Sequence, residues 1–436
     1  MTVRSALAAL LLLTTAPVSA ETIAFINGTV ATGDGSGPVQ GGTVVIRDGR
    51  VAAAGQGVQV PAGAKVIDAN GKWVTPGIVA GFSNLGLAGV SGGAEGANDI
   101  RARDGLFNAA IDVVPAINPN YQPIAVNRAD GVTRALVAPD TAKSIFAGQG
   151  AVIDTGADMD PITKARAFQF VELGQTGADD AGGSRASAHV LFRNALREAR
   201  ELAGFSNPTA VRRERSEDVL LTRFDAAALV PVLQGKQYLV VHVERASDIL
   251  DVIGLRQEFP ALKIIIVGAT EGWLVADRIA RSGIPVIASP VNDLPASFEE
   301  IAATQSNVGR MLAAGVKVSI GMVGDSHMLF NERQYAGNLV ALTKIPGATG
   351  LSWGQAFEAI TSGPAKAIGM GGQIGSLTPG AHADVVVWSG DPLDPRNAAE
   401  QVFIDGVQQP LETHQTRLRE RYRYLPRGDL PEAYRH

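Results

Sequence analysis

"GSLTPGAHADVVVWSG", Gly375 to Gly390, is the stretch that decides the fold of this chain. A turn rich in glycine and proline leads into Ala383–Trp388, whose β-branched and aromatic residues predict a strand. A second β-rich run, "AEQVFIDGVQQ", follows with an Asp-Gly turn at Asp405-Gly406. This end of the chain therefore reads as a small antiparallel unit.

The other end of the chain has the same character. Between Thr22 and Val74, β-rich runs are broken by Asn-Gly and Asp-Gly pairs, and Asp48-Gly49 predicts a type I′ hairpin turn. Two β-rich ends thus flank a different middle. The simplest assembly is one β-sandwich domain built from residues 21–76 and 368–410.

The middle of the chain, residues 77–367, alternates between strands and helices. "YLVVH" (Tyr238–His242) is a continuous apolar strand, and the amphipathic run "RASDILDVIGLRQEFP" follows it before the next strand, "KIIIVG". Strands buried on both faces and separated by helices indicate a parallel α/β arrangement. Their short length and near-even spacing favour a (β/α)8 barrel over a doubly wound sheet. Active residues are then expected at the carboxyl ends of the strands.

The two termini carry segments outside this core. Residues 1–20 combine Arg4, a short apolar run and Val18-Ser19-Ala20, which predicts a signal peptide cut after Ala20 and an exported, periplasmic protein. No later run reaches about 18 apolar residues, so no transmembrane segment is expected. Residues 411–436 form an Arg-rich C-terminal tail, interpreted as a solvated helix and extension or as a docking segment.

Composition limits the partners. Hydrophobic residues make up 46% and charged residues 19%, which supports a large core. The net charge of −5 becomes −6 once Arg4 is removed, and this mild acidity argues against nucleic acid. The absence of cysteine excludes disulfides, thiolate nucleophiles and Cys-bound zinc. A small-molecule substrate or ligand is the expected partner, and a homo-oligomer is compatible with these features.

These pieces, in this order, resemble the amidohydrolase superfamily, in particular its imidazolonepropionase-like and prolidase-like exported branch. "DANGKWVTPGIVAGFSNLGL" resembles the entry into barrel strand 1, "GVTRALVAPD" strand 3, "VVHVERASDI" strand 5 and "AGVKVSIGMVGDS" strand 8. The stretch from Ala356 to Asp394 resembles the return to the sandwich and is the most specific match. The resemblance covers nearly the whole chain after residue 20.

The resemblance implies a metal-dependent hydrolase, in which a cation acidifies a bound water and a carboxylate moves its proton. It implies two histidines at the end of strand 1, a lysine or glutamate in mid-barrel, histidines ending strands 5 and 6, and an aspartate ending strand 8. At strand 1, however, Phe82 and Asn84 occupy the two histidine positions. Phe82 cannot bind a metal, and Asn84 offers only a neutral oxygen, so the binuclear site of the family is not expected.

The remaining positions are only partly filled. His242 ends strand 5, and Asp325 matches the strand 8 aspartate; both are candidates for catalysis and for metal ligation. Asn84, Glu271 and His327 are candidate substrate-binding residues. In mid-barrel we find no convincing residue: Lys143, Glu172 and His189 fall in the region without a clear strand-end context.

Two classes of function stay open at this point. One is a hydrolase of non-peptide or dipeptide-like C–N bonds in a small substrate, with a metal site that departs from the family pattern. The other is an exported, catalytically inactive relative that binds a small molecule or a protein partner. The cofactor is correspondingly one divalent metal, zinc, or none. Metal content and a substrate screen discriminate between these classes.

Overall fold

The computed structural model describes residues 21–89, 96–207, 209, 219–290, 292–321 and 326–424. The predicted signal peptide (1–20) and the last part of the predicted tail (425–436) lie outside the described residues. Two eight-stranded sheets organise the described part of the chain. Within these ranges, none of the helices has both the length and the apolar character that crossing a membrane requires.

One sheet combines strands from both ends of the chain. It contains β1 (Thr22–Val30), β2 (Val39–Arg47), β3 (Arg50–Gly55), β4 (Lys65–Asp68), β5 (Trp73–Pro76), β14 (Val385–Trp388), β15 (Ala399–Ile404) and β16 (Val407–Gln408). The order is β16-β15-β14-β5-β1-β2-β3, with β4 also paired to β1. The two ends meet where β14 pairs antiparallel with β5, Val385 opposite Pro76 and Trp388 opposite Trp73.

The turn between β2 and β3 has the predicted geometry. Asp48 and Gly49 have φ angles of 55° and 69°, and a type I′ turn needs positive φ at both central residues. Asparagine, aspartate and glycine tolerate this region better than other residues. The sequence pair Asp-Gly therefore fixes this hairpin locally.

The other sheet is the barrel. It contains β6 (Ile78–Ser83), β7 (Val132–Val137), β8 (Phe146–Asp154), β9 (Ile162–Glu172), β10 (Tyr238–Val243), β11 (Lys263–Gly268), β12 (Val286–Ala288) and β13 (Val318–Ile320), in chain order. The predicted fold class, a TIM-like barrel with a β-sandwich formed from the N- and C-terminal segments, is confirmed.

The barrel departs from the predicted alternation at one place. β8 runs antiparallel to both β7 and β9, while the other neighbouring pairs are parallel. Short connections without a helix join β7, β8 and β9, so the chain must reverse direction at each of them. "GVTRALVAPD" was predicted as the third strand; this is wrong, because it forms β7, the second.

The helices surround the barrel, and one of them closes the end where the strands begin. They are α1 (Gln122–Ala129), α2 (Gln175–Asp180), α3 (Arg185–Leu202), α4 (Arg223–Ala228), α5 (Val230–Leu233), α6 (Ala246–Glu258), α7 (Ala276–Ser282), α8 (Asn307–Ala313), α9 (Glu332–Ala341), α10 (Trp353–Glu358), α11 (Ser362–Ala367) and α12 (His414–Tyr422). Ala365 and Ala367 of α11 join the apolar cluster that fills the barrel interior with Phe168, Val240 and Ile287. α11 thus seals the end of the barrel where the strands begin.

The segment between α10 and α11 bridges the first and last barrel strands. The amide of Val79 in β6 donates to the carbonyl of Ile360, and the amide of Ile320 in β13 donates to the carbonyl of Ala359. These bonds satisfy backbone groups at the seam that strand pairing would otherwise satisfy. At the other end of the barrel, where the strands finish, polar side chains follow the apolar interior.

Candidate functional site

The carboxyl ends of β9 and β10 bring one histidine and two glutamates together. His242 and Glu172 are direct neighbours in the parallel register of the two strands. The imidazole Nδ1 lies 2.7 Å from Oε2 of Glu172, and Nε2 lies 3.0 Å from Oε1 of Glu244. Both ring nitrogens of His242 are therefore engaged by carboxylates.

The period of the strands explains why these side chains converge. Side chains two residues apart point to the same face of a strand. Val240 and Phe170 belong to the apolar interior of the barrel, and His242 and Glu172 each follow one of them by two residues. The apolar pair fills the interior, and the polar pair lies one step nearer the open end. His242 was predicted to close this strand, and β10 ends one residue later, at Val243.

The site carries more negative than positive charge. Burial disfavours the charged imidazolium, but the negative charge of Glu172 and hydrogen bonds to Glu172 and Glu244 raise the pKa of His242 well above its ordinary value. Burial and the nearby charge of Glu244 raise the pKa of Glu300, which lies in the loop after β12. An imidazolium between carboxylates is the favoured state at neutral pH.

Glu244 is held in place by its surroundings. Its Oε2 accepts a hydrogen bond from the amide of Thr270 at 2.7 Å, and its carboxylate packs against Gly268 at the end of β11. Gly268 has φ = 89°, and a β-carbon at that position would lie 2.4 Å from Oε1 of Glu244. Glycine here leaves the room that Glu244 needs to reach His242.

The first barrel strand is closed to a metal of the family type. Phe82 is 9% exposed, and its ring packs edge-on against Phe170 with centroids 4.9 Å apart. Asn84 donates from its amide nitrogen to the carbonyl of Ala138 at 2.8 Å and to Asp140 at 3.2 Å. The aromatic ring extends the apolar interior to the point where a histidine was expected, and Asn84 ties two strand ends together.

Glu271 has a different environment from the predicted one. It is buried, and its two carboxylate oxygens each accept a backbone amide, from Ala246 and from Ala302, both at 3.0 Å. The carboxylate therefore links the loops that follow β10, β11 and β12. This arrangement positions loops around the site, and the substrate-binding role of Glu271 stays a prediction.

The residues predicted near strand 8 are only partly described. Asp325 lies outside the described residues. His327 lies in the 3-10 segment Ser326–Asn331 and is partly buried. The geometry that would join Asp325 to His242 therefore stays a prediction.

Two residues of the candidate site, Glu172 and Glu244, are not predicted from the sequence. Glu172 was set aside for lack of a strand-end context, yet it is the last residue of β9. Glu244 was not considered, although His-x-Glu at a strand end places both side chains on one face. Lys143, by contrast, is an exposed partner of Asp104 at 2.6 Å, as expected of a surface lysine.

Comparison with known proteins identifies the family. The amidohydrolase family model matches residues 254–411. An imidazolonepropionase from Acidiphilium cryptum is 26% identical over 402 residues, which cover 83% of this chain and 90% of that protein. A solved amidohydrolase from Thermotoga maritima has a TM-score of 0.75 and 26% identity, covering 88% of this chain and 99% of that one. This chain belongs to the amidohydrolase superfamily.

A further relative differs in length. The amidohydrolase tasK of Hapsidospora irregularis is 26% identical over 381 residues, which cover 80% of this chain and 38% of that protein. This amidohydrolase thus spans well under half the length of that relative. The shared part corresponds to most of the chain, and what the longer protein does with its remaining length does not transfer.

Members of the superfamily typically use divalent metals, and the residues of this amidohydrolase fit that group poorly. Within the described ranges, no three His, Cys, Asp or Glu side chains are arranged to hold a metal ion. Phe82 fills one ligand position, and both nitrogens of His242 face carboxylates, so a protonated ring has no lone pair to offer. Three protein ligands are the usual minimum for catalytic zinc.

Proposed function

We propose that this amidohydrolase cleaves a C–N bond in a small substrate, amide, cyclic amide or dipeptide-like, at the carboxyl ends of β9 and β10. The observation that carries the proposal is the imidazole of His242 held between Glu172 and Glu244. Such a cluster can transfer protons, which hydrolysis of a C–N bond requires at both the attacking water and the leaving nitrogen. Family membership supports hydrolysis as the reaction class.

In this proposal Glu172 acts on the water. Its carboxylate takes one proton from the attacking water, and the resulting hydroxide adds to the carbonyl carbon of the substrate. The C–N bond then breaks as Glu172 returns the same proton to the leaving nitrogen. The products are a carboxylic acid and an amine, and Glu172 is again a carboxylate. The 2.7 Å hydrogen bond to His242 fixes the orientation of Glu172 throughout.

His242 and Glu244 support this transfer. The imidazolium of His242 places positive charge next to the reacting group, where negative charge develops on the carbonyl oxygen. Glu244 holds the ring from the other side and is itself anchored to the amide of Thr270. Glu244 is thus a positioning residue for His242.

Asp325 remains the competing candidate for the proton transfer. Its place after the eighth strand motivates this assignment, and the family resemblance supports it. Activity in paired variants distinguishes the two carboxylates. The one that moves the proton loses about 10²–10⁴ in rate when replaced by its amide, and the other loses much less.

The experiment is a hydrolysis screen with N-acyl amino acids, dipeptides and cyclic amides, followed by kinetics of Glu172→Gln, His242→Ala and Asp325→Asn on any substrate found. Lys344→Ala, on an exposed lysine in the 3-10 segment Leu342–Lys344, is the control and keeps the wild-type rate. Wild-type rates in Glu172→Gln and His242→Ala would show that the site is elsewhere. A wild-type protein inert with every substrate, with and without added zinc, would favour the inactive, ligand-binding alternative.

The amount of divalent metal bound per chain tests, independently of activity, whether these residues form the binuclear site of the family. We expect protein purified without added metal to hold well under two equivalents of divalent metal per chain, because Phe82 and Asn84 occupy the positions of two ligands. Elemental analysis by mass spectrometry measures this directly. Two tightly held, stoichiometric ions would show that other residues, Asp325 among them, rebuild a binuclear centre.

A further inference from the structure

A cavity of about 640 Å³ lies at the end of the barrel opposite to His242. It opens between the amino ends of β10, β12 and β13 on one side and α10 and α11 on the other; Tyr238, Leu312, Val316, Lys317, Glu358 and Lys366 are among its lining residues. Its volume falls within the range of about 300–1,000 Å³ typical of small-molecule sites. β10 runs from Tyr238 at this cavity to His242 at the candidate active site, so about 13 Å of strand separates them.

The inner wall of the cavity is apolar. Leu312, Val316 and Val318 line it together with Pro285 and Ala367. Leu312 belongs to α8, Val318 to β13 and Ala367 to α11, while Pro285 and Val316 lie in the loops before β12 and β13, so several parts of the fold contribute to the apolar surface. A ligand with an apolar body would remove this surface from water.

The polar groups at the edge of the cavity are mostly donors. Lys317 is exposed and has no acidic partner among the residues that the structure describes. Lys366 donates to Oε1 of Glu358 at 2.5 Å, so the carboxylate that lines the cavity is already neutralised. Gln355 accepts the amide of Ser352 with its oxygen, and its amide nitrogen is a further donor. An anionic acceptor would complement this edge.

We propose that the cavity binds an amphipathic carboxylate, a molecule with one carboxylate and an unbranched apolar chain. The carboxylate meets Lys317, and the chain lies along Leu312 and Val316. The site is independent of the proposed hydrolysis, because it lies at the other end of the barrel and shares no residue with the His242 cluster.

The test uses the full chain and sodium decanoate below its micelle concentration, with binding measured by isothermal titration calorimetry. We expect saturable binding of decanoate with one site per chain. Decylamine, which has the same chain and the opposite charge at neutral pH, should bind at least about tenfold more weakly, because a cation meets Lys317 instead of an anion.

Variants locate the site. Lys317→Glu should weaken decanoate binding about tenfold or more, since it replaces an attraction by a repulsion at an exposed position that folding does not need. Leu312→Trp should abolish binding by filling the cavity, and its thermal unfolding is recorded to show that the fold is intact. Lys344→Ala, on an exposed lysine away from the cavity, should bind decanoate as the wild type does.

Three results would overturn the proposal. The first is the absence of saturable decanoate binding to the wild type. The second is equal affinity for decanoate and decylamine, which would mean that charge at Lys317 plays no part. The third is unchanged binding in both Lys317→Glu and Leu312→Trp, which would place decanoate elsewhere on the chain.

Discussion

Two buried ionic clusters in this amidohydrolase contain similar groups but lie in different parts of the fold. At the open end of the barrel, His242 lies between Glu172 and Glu244. At the boundary between the barrel and the second sheet, Arg134 of β7 makes two hydrogen bonds to Asp384, at 2.8 and 3.0 Å, and one to Asp405 at 2.9 Å. In each case one cation is surrounded by carboxylates.

The difference lies in the cation and its position. Arg134 is 1% exposed, and its guanidinium also donates to Thr163 at 2.7 Å. Burial opposes its charge, but the charges of Asp384, Asp405 and Asp154 raise the pKa of Arg134, so it does not release its proton. The cation of the other cluster is a histidine, which can exchange protons, at the strand ends where a TIM-like barrel keeps its active site. Similar charges therefore hold two parts of the fold together in one place and, in the function that we propose, transfer protons in the other.

The largest effect should follow removal of Arg134. Arg134→Ala leaves Asp384 buried without its cation and removes the hydrogen bonds that join β7 to Asp384 and Asp405, so we expect a loss of about 3–5 kcal/mol in the free energy of unfolding. Urea unfolding followed by circular dichroism measures this loss. Arg396→Ala, which breaks an exposed pair with Asp394, should leave the free energy of unfolding close to that of the wild type, because solvent screens this pair. Equal losses in the two variants would mean that the boundary cluster contributes no special stability.

The contrast also shows what the sequence can predict. The barrel, the sheet from both chain ends and the strand-end place of His242 follow from periodicity and turn residues, which are local signals. The place of Glu172 beside His242 depends on the pairing of β9 with β10, whose paired residues are 70 positions apart in sequence. The partners of Glu271 are backbone amides, Ala246 and Ala302, 25 and 31 residues away in sequence. Neither composition nor local sequence pattern predicts hydrogen bonds between residues so far apart in sequence.

The departure from the family's ligand pattern at the first barrel strand, by contrast, can be read directly from the sequence. Phe82 and Asn84 are visible in the sequence as replacements for histidines, and the structure adds the reason that the replacement is tolerated. The ring of Phe82 continues the apolar interior against Phe170, so the interior gains packing where the ligands were lost. Whether Asp325 compensates is a question that kinetics of Asp325→Asn answers.

A smaller effect should separate positioning from catalysis at the His242 cluster. Gly268→Ala places a β-carbon 2.4 Å from Oε1 of Glu244 and must displace that carboxylate from His242. Gly380→Ala is the matched control, because Gly380 has the same φ of 89° with open space around it. Both variants should lose about 1 kcal/mol of stability from the strained backbone, and Gly268→Ala should lose somewhat more.

The readout for this pair is hydrolysis of the substrate identified in the screen. Gly268→Ala should lower kcat at least about tenfold, since Glu244 no longer orients the imidazole, while Gly380→Ala keeps the wild-type kcat. Retained kcat in Gly268→Ala would show that the orientation of His242 by Glu244 is unimportant. It would also weaken the contrast between a cluster built for chemistry and one built for cohesion.

The smallest effect concerns Glu332 at the start of α9, a buried carboxyl group that lacks, within the described ranges, the cationic partner present in both clusters. It is fully buried, and neither of its carboxyl oxygens has a side-chain partner within the described ranges. Burial raises the pKa of Glu332 well above its ordinary value of 4.5, against a weaker opposite effect of the Gly81 amide. The folded protein therefore retains a proton that the unfolded chain releases once the pH exceeds about 4.5. The contribution of Glu332 to the free energy of unfolding is fully present below that pH. It is lost as the pH rises towards the folded-state pKa, by at most about 1.4 kcal/mol per pH unit.

Glu332→Gln cannot titrate, so its free energy of unfolding relative to the wild type should rise between pH 5 and pH 7 in urea unfolding experiments. A constant difference over that interval would mean that Glu332 is charged in the folded protein and has found a counter-ion, and the distinction between paired and unpaired buried charges would no longer apply to it.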